Sequence, residues 1–110
     1  EMNTLRVAEG AGNRHYLGIV KVNYNSGVAG IGYVPGRALL SWDYLPSGDG
    51  TTAHEFGHNF GRLHAPCGGV ANPDPAYPYT GGDIGAYGYD PADQSLKPPT
   101  FKDLMGYCNN

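Results

Sequence analysis

The sequence predicts a small α+β fold, in which a small mixed sheet packs on one helix and the C-terminal half is irregular. Three observations lead to this prediction. Residues 15–44 contain three strand-like segments, of which the first alternates most clearly between its two faces. The period changes to that of a helix over residues 51–62. Gly and Pro then recur throughout residues 66–110, where no long periodic segment remains.

The length and composition of the chain predict one folded domain. A chain of 110 residues and 11.7 kDa has room for a single core, and we divide it into a sheet and helix over 1–64 and an irregular subdomain over 65–110. Gly (18) and Pro (9) are abundant, but the net charge is only −3, and nine Tyr and one Trp supply apolar area. We therefore expect a folded, loop-rich chain.

The charge and hydropathy of the chain exclude several functions. A pI near 5.7 with seven scattered Lys and Arg argues against a nucleic-acid-binding surface, which needs a clustered basic patch. The apolar runs are only a few residues long, so we expect no membrane span. We expect a monomer.

The first predicted elements are a helix and a strand. Residues 2–8 read as the end of a helix that Gly10 and Gly12 close. Residues 15–25 form the clearest strand, because apolar side chains alternate between its two faces. Asn, Ser and Gly at 25–27 then predict a turn.

Two further strands and a helix follow. Residues 28–34 predict a strand interrupted by glycines, and residues 37–44 predict a third strand after a Pro-Gly turn. Residues 46–50 read as a loop. Over 51–62, apolar residues recur on the faces left by polar ones, which predicts a helix.

The helix carries a metal-ligand pattern. His54 and His58 are four residues apart, so both imidazoles project from one face of a helix. Glu55 lies one step round, where a carboxylate can take a proton from a metal-bound water. A catalytic zinc commonly has three protein ligands, and His64 supplies the third if the chain turns at Gly61.

These residues are part of a longer motif. HEFGHNFGRLH at 54–64 and DLMGYC at 103–108 match HExxHxxGxxH followed by a methionine turn, so the chain resembles the metzincin zinc endopeptidases. The resemblance to secreted bacterial metallopeptidases is looser, and no subfamily stands out. The resemblance to metzincins implies a metzincin-like fold, one catalytic Zn²⁺ and a peptide or protein substrate. It implies that Met105 lies beneath the three histidines. It also implies that Tyr107, as in astacins and serralysins, ligates zinc at rest or stabilises the oxyanion.

Other interpretations of the same residues remain open. The histidines and Glu55 could be ordinary residues of a helix surface, and Glu55 could form a capping box with Thr52. Met105 could fill the core, and Tyr107 could be structural. The alternative to a zinc-dependent endopeptidase is a non-catalytic, zinc-stabilised binding module or an inactive fragment of a larger protease.

The two cysteines flank the two motif segments. Cys67 and Cys108 each follow a motif residue by three positions, and both segments must converge under the zinc, so we predict a disulfide between them. That predicts a secreted or extracytoplasmic protein. Two free thiols, or zinc held by both thiolates, are the alternatives. Four aspartates in the Gly-rich half could bind calcium, but their spacing matches no calcium-binding loop and we favour solvated turn residues: Asp74, Asp83, Asp90 and Asp93.

The segment at 28–34 is also the candidate for substrate binding. A protease holds its peptide extended, and an exposed strand edge does this with main-chain hydrogen bonds. The glycines permit close backbone approach. The predicted edge strand comprises Val28, Ala29, Gly30, Ile31, Gly32, Tyr33 and Val34.

Overall fold

A computed structural model describes residues 1–22 and 27–108 and confirms the α+β class. The described residues form two α-helices, a three-stranded sheet and a two-stranded hairpin. In chain order the elements are α1 (Met2–Ala8), β1 (Tyr16–Val20), β2 (Gly30–Gly32), β3 (Ala38–Trp42), α2 (Gly48–Asn59), a 3₁₀ turn (Thr80–Gly82), β4 (Gly88–Asp90) and β5 (Ser95–Lys97). Their contacts group Glu1–Arg62 and Leu63–Asn110 into two compact units.

The sheet of the first unit is mixed, with the strand order β1-β3-β2. β1 runs parallel to β3, from the pair Tyr16↔Ala38 to the pair Val20↔Trp42. Because β3 ends at Trp42, the ladder ends at Val20, and β1 is shorter than the predicted strand over 15–25. That prediction and the turn expected at 25–27 extend onto residues 23–26, which lie outside the described residues.

The predicted strand over 28–34 is also too long. β2 pairs antiparallel with β3 over three residues only, and its ladder is extended by hydrogen bonds from the Trp42 amide to the Ala29 carbonyl (2.8 Å) and from the Tyr33 amide to the Ala38 carbonyl (3.3 Å). Val28 and Val34 lie outside this ladder, because the chain turns between Val34 and β3. Among the described strands, β2 has only β3 as a partner and lies at the sheet edge.

The core of the first unit lies between the sheet and α2. Leu39 and Ser41, which share one face of β3, are 2% and 1% exposed. The Ser41 hydroxyl and the Thr52 hydroxyl of α2 form a hydrogen bond (Oγ–Oγ1 distance 2.9 Å). α1 packs on β1 and β3. Neither described helix has the length and apolar run that a membrane span requires.

The helix α2 begins three residues before the predicted start at 51. Gly48 and Gly50 suggested a loop, but Asp49 lies in the first turn, where a carboxylate interacts favourably with the helix dipole. Thr52 Oγ1 donates to the Gly48 carbonyl (2.8 Å), one turn before it. Since Thr52 is inside the helix, Glu55 is not a capping residue.

The second unit is mostly irregular, as predicted, with the short β4–β5 hairpin as an element that the sequence pattern missed. Cys67 and Cys108 form a disulfide with a Cα–Cα distance of 5.5 Å. Both alternatives for these cysteines, free thiols and a thiolate zinc site, are therefore wrong. Ala65 and Met105 are buried, and the Ala65 amide donates to the Met105 carbonyl (3.1 Å).

Candidate metal centre

The helix α2 places His54 and His58 side by side. Their spacing of four residues puts them one turn apart on the same face. The ring centroids are 4.8 Å apart, with an interplanar angle of 84°. Each residue is only 8% exposed, so both imidazoles are withdrawn from bulk water.

The helix ends at Asn59 and is followed by a turn that depends on Gly61. Gly61 has φ +85°, a left-handed conformation that L side chains rarely adopt. The Gly61 amide donates to the His58 carbonyl (2.8 Å), and the Arg62 amide donates to the Gly57 carbonyl (2.9 Å). This pair of bonds is the Schellman motif, which satisfies the last helical carbonyls and reverses the chain.

Three histidines come together around this turn. The potential ligand atoms of His54, His58 and His64 all lie within 4.8 Å of one another. Among the described residues, this is the group of His, Cys, Asp and Glu side chains that could hold a metal ion. Three neutral imidazoles suit Zn²⁺ and leave a fourth position for a further ligand.

Backbone carbonyls orient two of the imidazoles. His58 Nδ1 lies 2.8 Å from the Arg62 carbonyl, and His64 Nδ1 lies 2.7 Å from the Ala71 carbonyl. A carbonyl only accepts, so Nδ1 carries the proton in both rings and Nε2 carries the lone pair. Histidines that bind metals use such an outer hydrogen bond to fix the ring and its tautomer. The residues present therefore fit a metal ion.

Glu55 is buried beside His54. The residue is 6% exposed, and its Oε2 has no hydrogen-bond partner within the described part of the chain. Burial raises the pKa of the Glu55 carboxyl to about 7. A buried carboxylate oxygen without a partner is costly, and such groups are typical of functional sites.

The edge strand β2 packs directly on this glutamate. A methyl group at Gly30 would lie 2.7 Å from Glu55 Oε1, and one at Gly32 would lie 2.8 Å from the Glu55 carbonyl oxygen. At Gly32 the methyl group would meet the backbone, so only glycine fits, whereas at Gly30 the flexible Glu55 side chain would have to move. The glycines were expected to allow another backbone to come close. In the described residues, the segment that comes close to them is α2.

The hydrogen-bond pattern of β2 leaves two residues facing outward. Ala29 and Tyr33 bond to β3, and antiparallel strands alternate between inward-bonded and outward-facing residues. By this alternation, the amides and carbonyls of Gly30 and Gly32 point away from β3. The outer edge of β2 therefore presents main-chain donors and acceptors beside Glu55.

In the second unit, Tyr107 lies next to His64. The Tyr107 hydroxyl is 3.4 Å from His64 Nε2, and the two ring centroids are 5.2 Å apart. Because His64 Nδ1 carries the proton, the phenol is the donor in this contact. Tyr107 is 56% exposed.

Met105, by contrast, is only 3% exposed and lies in a turn that Asp103 stabilises. Asp103 Oδ1 accepts a hydrogen bond from the Met105 amide (2.8 Å). Asp103 Oδ2 also accepts one from the Tyr77 hydroxyl (2.9 Å). This carboxylate therefore holds the turn that carries Met105 and leads to Tyr107.

The sequence assigned no role to two residues that the structure places in polar contacts. Asp103, the first residue of the motif at 103–108, is one of them. The other is Asn59, which is 4% exposed and whose carboxamide bonds to three residues. A signal existed for Asn59: it lies four residues after Glu55, inside the helix predicted over 51–62, and asparagine is unfavourable inside a helix.

The aspartates considered for calcium have other partners. Asp83 pairs with Lys102, and Asp90 and Asp93 both pair with Lys97. Asp74 accepts a hydrogen bond from the Ala76 amide (2.9 Å), as a turn residue does.

Comparison with known proteins identifies a family. The model of the family described as Peptidase M66 matches residues 16–109, which includes all three histidines, Glu55 and both cysteines. No curated protein and no solved structure gives a significant match to the chain.

Proposed function

Since this chain belongs to the Peptidase M66 family, we propose that it is a zinc-dependent endopeptidase of metzincin type. His54, His58 and His64 hold one Zn²⁺, and Glu55 is the general base. The observation that carries the proposal is the cluster of three histidines within 4.8 Å, with a buried glutamate next to the first of them.

The donor set supports zinc. His58 and His64 each donate Nδ1–H to a backbone carbonyl, so each directs a lone pair from Nε2. When bound, Zn²⁺ polarises a carbonyl and makes water more acidic. The proton transfers of the reaction are carried out by side chains of the protein.

Glu55 moves the protons. It accepts a proton from the attacking water and passes it to the nitrogen of the leaving amine, so that the peptide bond is replaced by a carboxylate and an amine. Its position supports this role, since it is adjacent to a metal ligand without being a member of the histidine group. The unpartnered Oε2 is consistent with an oxygen kept for the reaction.

Tyr107 would donate a hydrogen bond to the oxyanion, or would be a further ligand of the metal ion when one is bound. Its hydroxyl lies 3.4 Å from His64 Nε2, which supports a phenol within reach of the metal site. A donor aimed at the oxygen that becomes charged in the transition state contributes about 3–4 kcal/mol. Met105, buried in the turn two residues before, supports the chain that carries this phenol.

The substrate is a peptide or protein held extended on the outer edge of β2. Gly30 and Gly32 offer outward-facing amides and carbonyls there, which pair with an added strand by main-chain hydrogen bonds. Glu55 packs on the same two glycines, so a peptide bound to β2 would lie on the strand that Glu55 contacts.

We also propose an extracytoplasmic location. The disulfide between Cys67 and Cys108 supports it, because disulfides persist in oxidising compartments.

Metal removal and return tests the proposal. The protein as purified should contain one zinc per chain and should cleave an unfolded protein substrate. Chelation should abolish cleavage, and one equivalent of Zn²⁺ should restore it. His54→Ala should lose both zinc and cleavage, whereas substitution of the aspartate-paired Lys102 by Ala should change neither. Zinc without cleavage would favour the non-catalytic binding module, and cleavage without metal would contradict the proposal.

A further inference from the structure

The carboxamide of Asn59 joins the catalytic helix to the β2–β3 hairpin. Asn59 is the last residue of α2 and is 4% exposed. Its Nδ2 donates to the Tyr33 carbonyl (3.0 Å), directly after β2, and to the Ala38 carbonyl (3.1 Å), at the start of β3. Both donors of one side chain therefore close the same end of the hairpin.

Two more bonds reinforce this contact. The Asn59 carbonyl accepts from the Gly36 amide (3.1 Å), inside the hairpin loop. Asn59 Oδ1 lies 3.1 Å from His15 Nδ1, which donates because an amide oxygen only accepts. His15 itself packs against Phe56 of α2 and against Phe60, the residue that follows the helix, with ring centroids 5.8 and 5.1 Å apart.

The position of β2 matters to the site for two reasons. A methyl group at Gly32 would meet both Glu55 and Asn59 Nδ2, at 3.1 Å from Oε2 and 3.3 Å from Nδ2. The outer edge of the same strand carries the outward-facing amides of Gly30 and Gly32. Since β2 has three residues and pairs with only β3 among the described strands, its ladder is short, and a further attachment has a large effect on its position.

We propose that Asn59 is a positioning residue, which attaches the substrate-binding edge strand β2 to the helix that carries the metal ligands and Glu55. This inference rests on the proposed function, because it assigns β2 to substrate binding. Without the Asn59 donors, the Tyr33 carbonyl loses its bond to α2, the buried bond to the Ala38 carbonyl is lost as well, and the end of the hairpin moves away from α2. The metal ligands, which lie on the helix and beyond it, stay where they are.

The first test measures β2 itself. Asn59→Leu keeps the branched shape and removes every side-chain hydrogen bond. Amide hydrogen exchange of the protein as purified should accelerate at least tenfold at Ile31 and Tyr33 and stay unchanged in β1. The matched control is His15→Phe, which removes only the bond to Oδ1 and keeps a ring against Phe56 and Phe60. It should leave exchange in β2 unchanged.

The second test measures the consequence for a peptide. Acetohydroxamate is small and can bind only the metal ion. A hydroxamate attached to an extended tetrapeptide can bind the metal ion and also form main-chain hydrogen bonds with a strand edge. We expect zinc-loaded Asn59→Leu to bind the tetrapeptide hydroxamate at least tenfold more weakly than wild type, with equal zinc content and unchanged affinity for acetohydroxamate. Asn59→Ser, a smaller polar replacement, should show the same selective loss if the leucine variant does not fold.

The outcomes separate the two proposals. Unchanged exchange in β2, equal losses for both hydroxamates, or the same effects in His15→Phe would each overturn the role of Asn59. If wild type binds neither hydroxamate in a zinc-dependent way, the proposed function and the substrate part of this inference fail. The exchange measurement still decides the attachment of β2, because it needs neither zinc nor substrate.

Discussion

Gly30 lies against the side chain of Glu55 so closely that an added methyl group would be 2.7 Å from both Cγ and Oε1 of the glutamate. The contact joins the strand proposed to bind substrate to the residue proposed to move protons. A side chain at position 30 would therefore force the Glu55 side chain to move.

Gly30→Ala should displace the Glu55 carboxylate without removing the metal ligands. A misplacement of about 1 Å at a catalytic group costs about 10²-fold in rate. We expect kcat to fall by that order at unchanged zinc content, measured by steady-state hydrolysis and metal analysis. The control is Gly50→Ala in the first turns of α2, where nothing lies within 4 Å of the added methyl. It should keep full activity, and a Gly30→Ala enzyme as fast as this control would contradict the prediction.

Gly61→Ala tests the turn that leads to His64. With φ +85° the cost to an L residue is about 1–2 kcal/mol, while the nearest atom to the added methyl, Pro35 Cβ, is 3.8 Å away and does not clash. Urea unfolding should show a loss of that size, and zinc affinity should fall. Gly61→Asn should lose less, because asparagine tolerates the left-handed region. Equal stability of the alanine and wild-type proteins would show that the turn has another conformation.

Tyr107→Phe should lower kcat at least tenfold with little change in KM. That pattern identifies a contact made only in the transition state, and the hydroxyl beside His64 Nε2 is the group removed. Tyr89→Phe removes the hydroxyl of another tyrosine, 63% exposed on β4, and should have no effect. If kcat of Tyr107→Phe equals that of Tyr89→Phe, Tyr107 has only a structural role.

Loss of the disulfide should destabilise the protein. The bond joins residues 41 positions apart, and in the chain-entropy model a loop of this length contributes about 4 kcal/mol. Denaturant unfolding of Cys67→Ser with Cys108→Ser should show a loss of this order. Mass analysis should find the unreduced wild-type chain two hydrogens lighter than the reduced chain. Two free thiols in protein from an oxidising compartment would contradict this prediction and the proposed location.

The parts of the site that depend on local sequence could be predicted. His54 and His58 follow from helical spacing, and the turn at Gly61 follows from the freedom of glycine to adopt positive φ. Both features are determined by residues that are close to one another in the sequence.

The contacts between distant segments could not be predicted. The glycines at 30 and 32 indicated close backbone approach, but nothing in their sequence named Glu55, 25 residues later, as the group that approaches. The length of β1 depends on where β3 ends, and the start of α2 depends on Ser41 as well as on its own residues. Asn59 gains its three side-chain partners only when the hairpin and His15 come together.

Hydrolysis of an unfolded protein by the zinc-loaded chain and by its Glu55→Gln variant is the most direct test of the central claim. Glutamine keeps the size of the side chain and removes its ability to accept the proton, which contributes about 10²–10⁴ in rate. We predict one zinc per chain in both proteins, cleavage by the wild type, and a rate at least 10²-fold lower for the variant. Equal cleavage by both proteins would contradict the role of Glu55, and a wild-type chain with one zinc and no cleavage would contradict the enzyme itself.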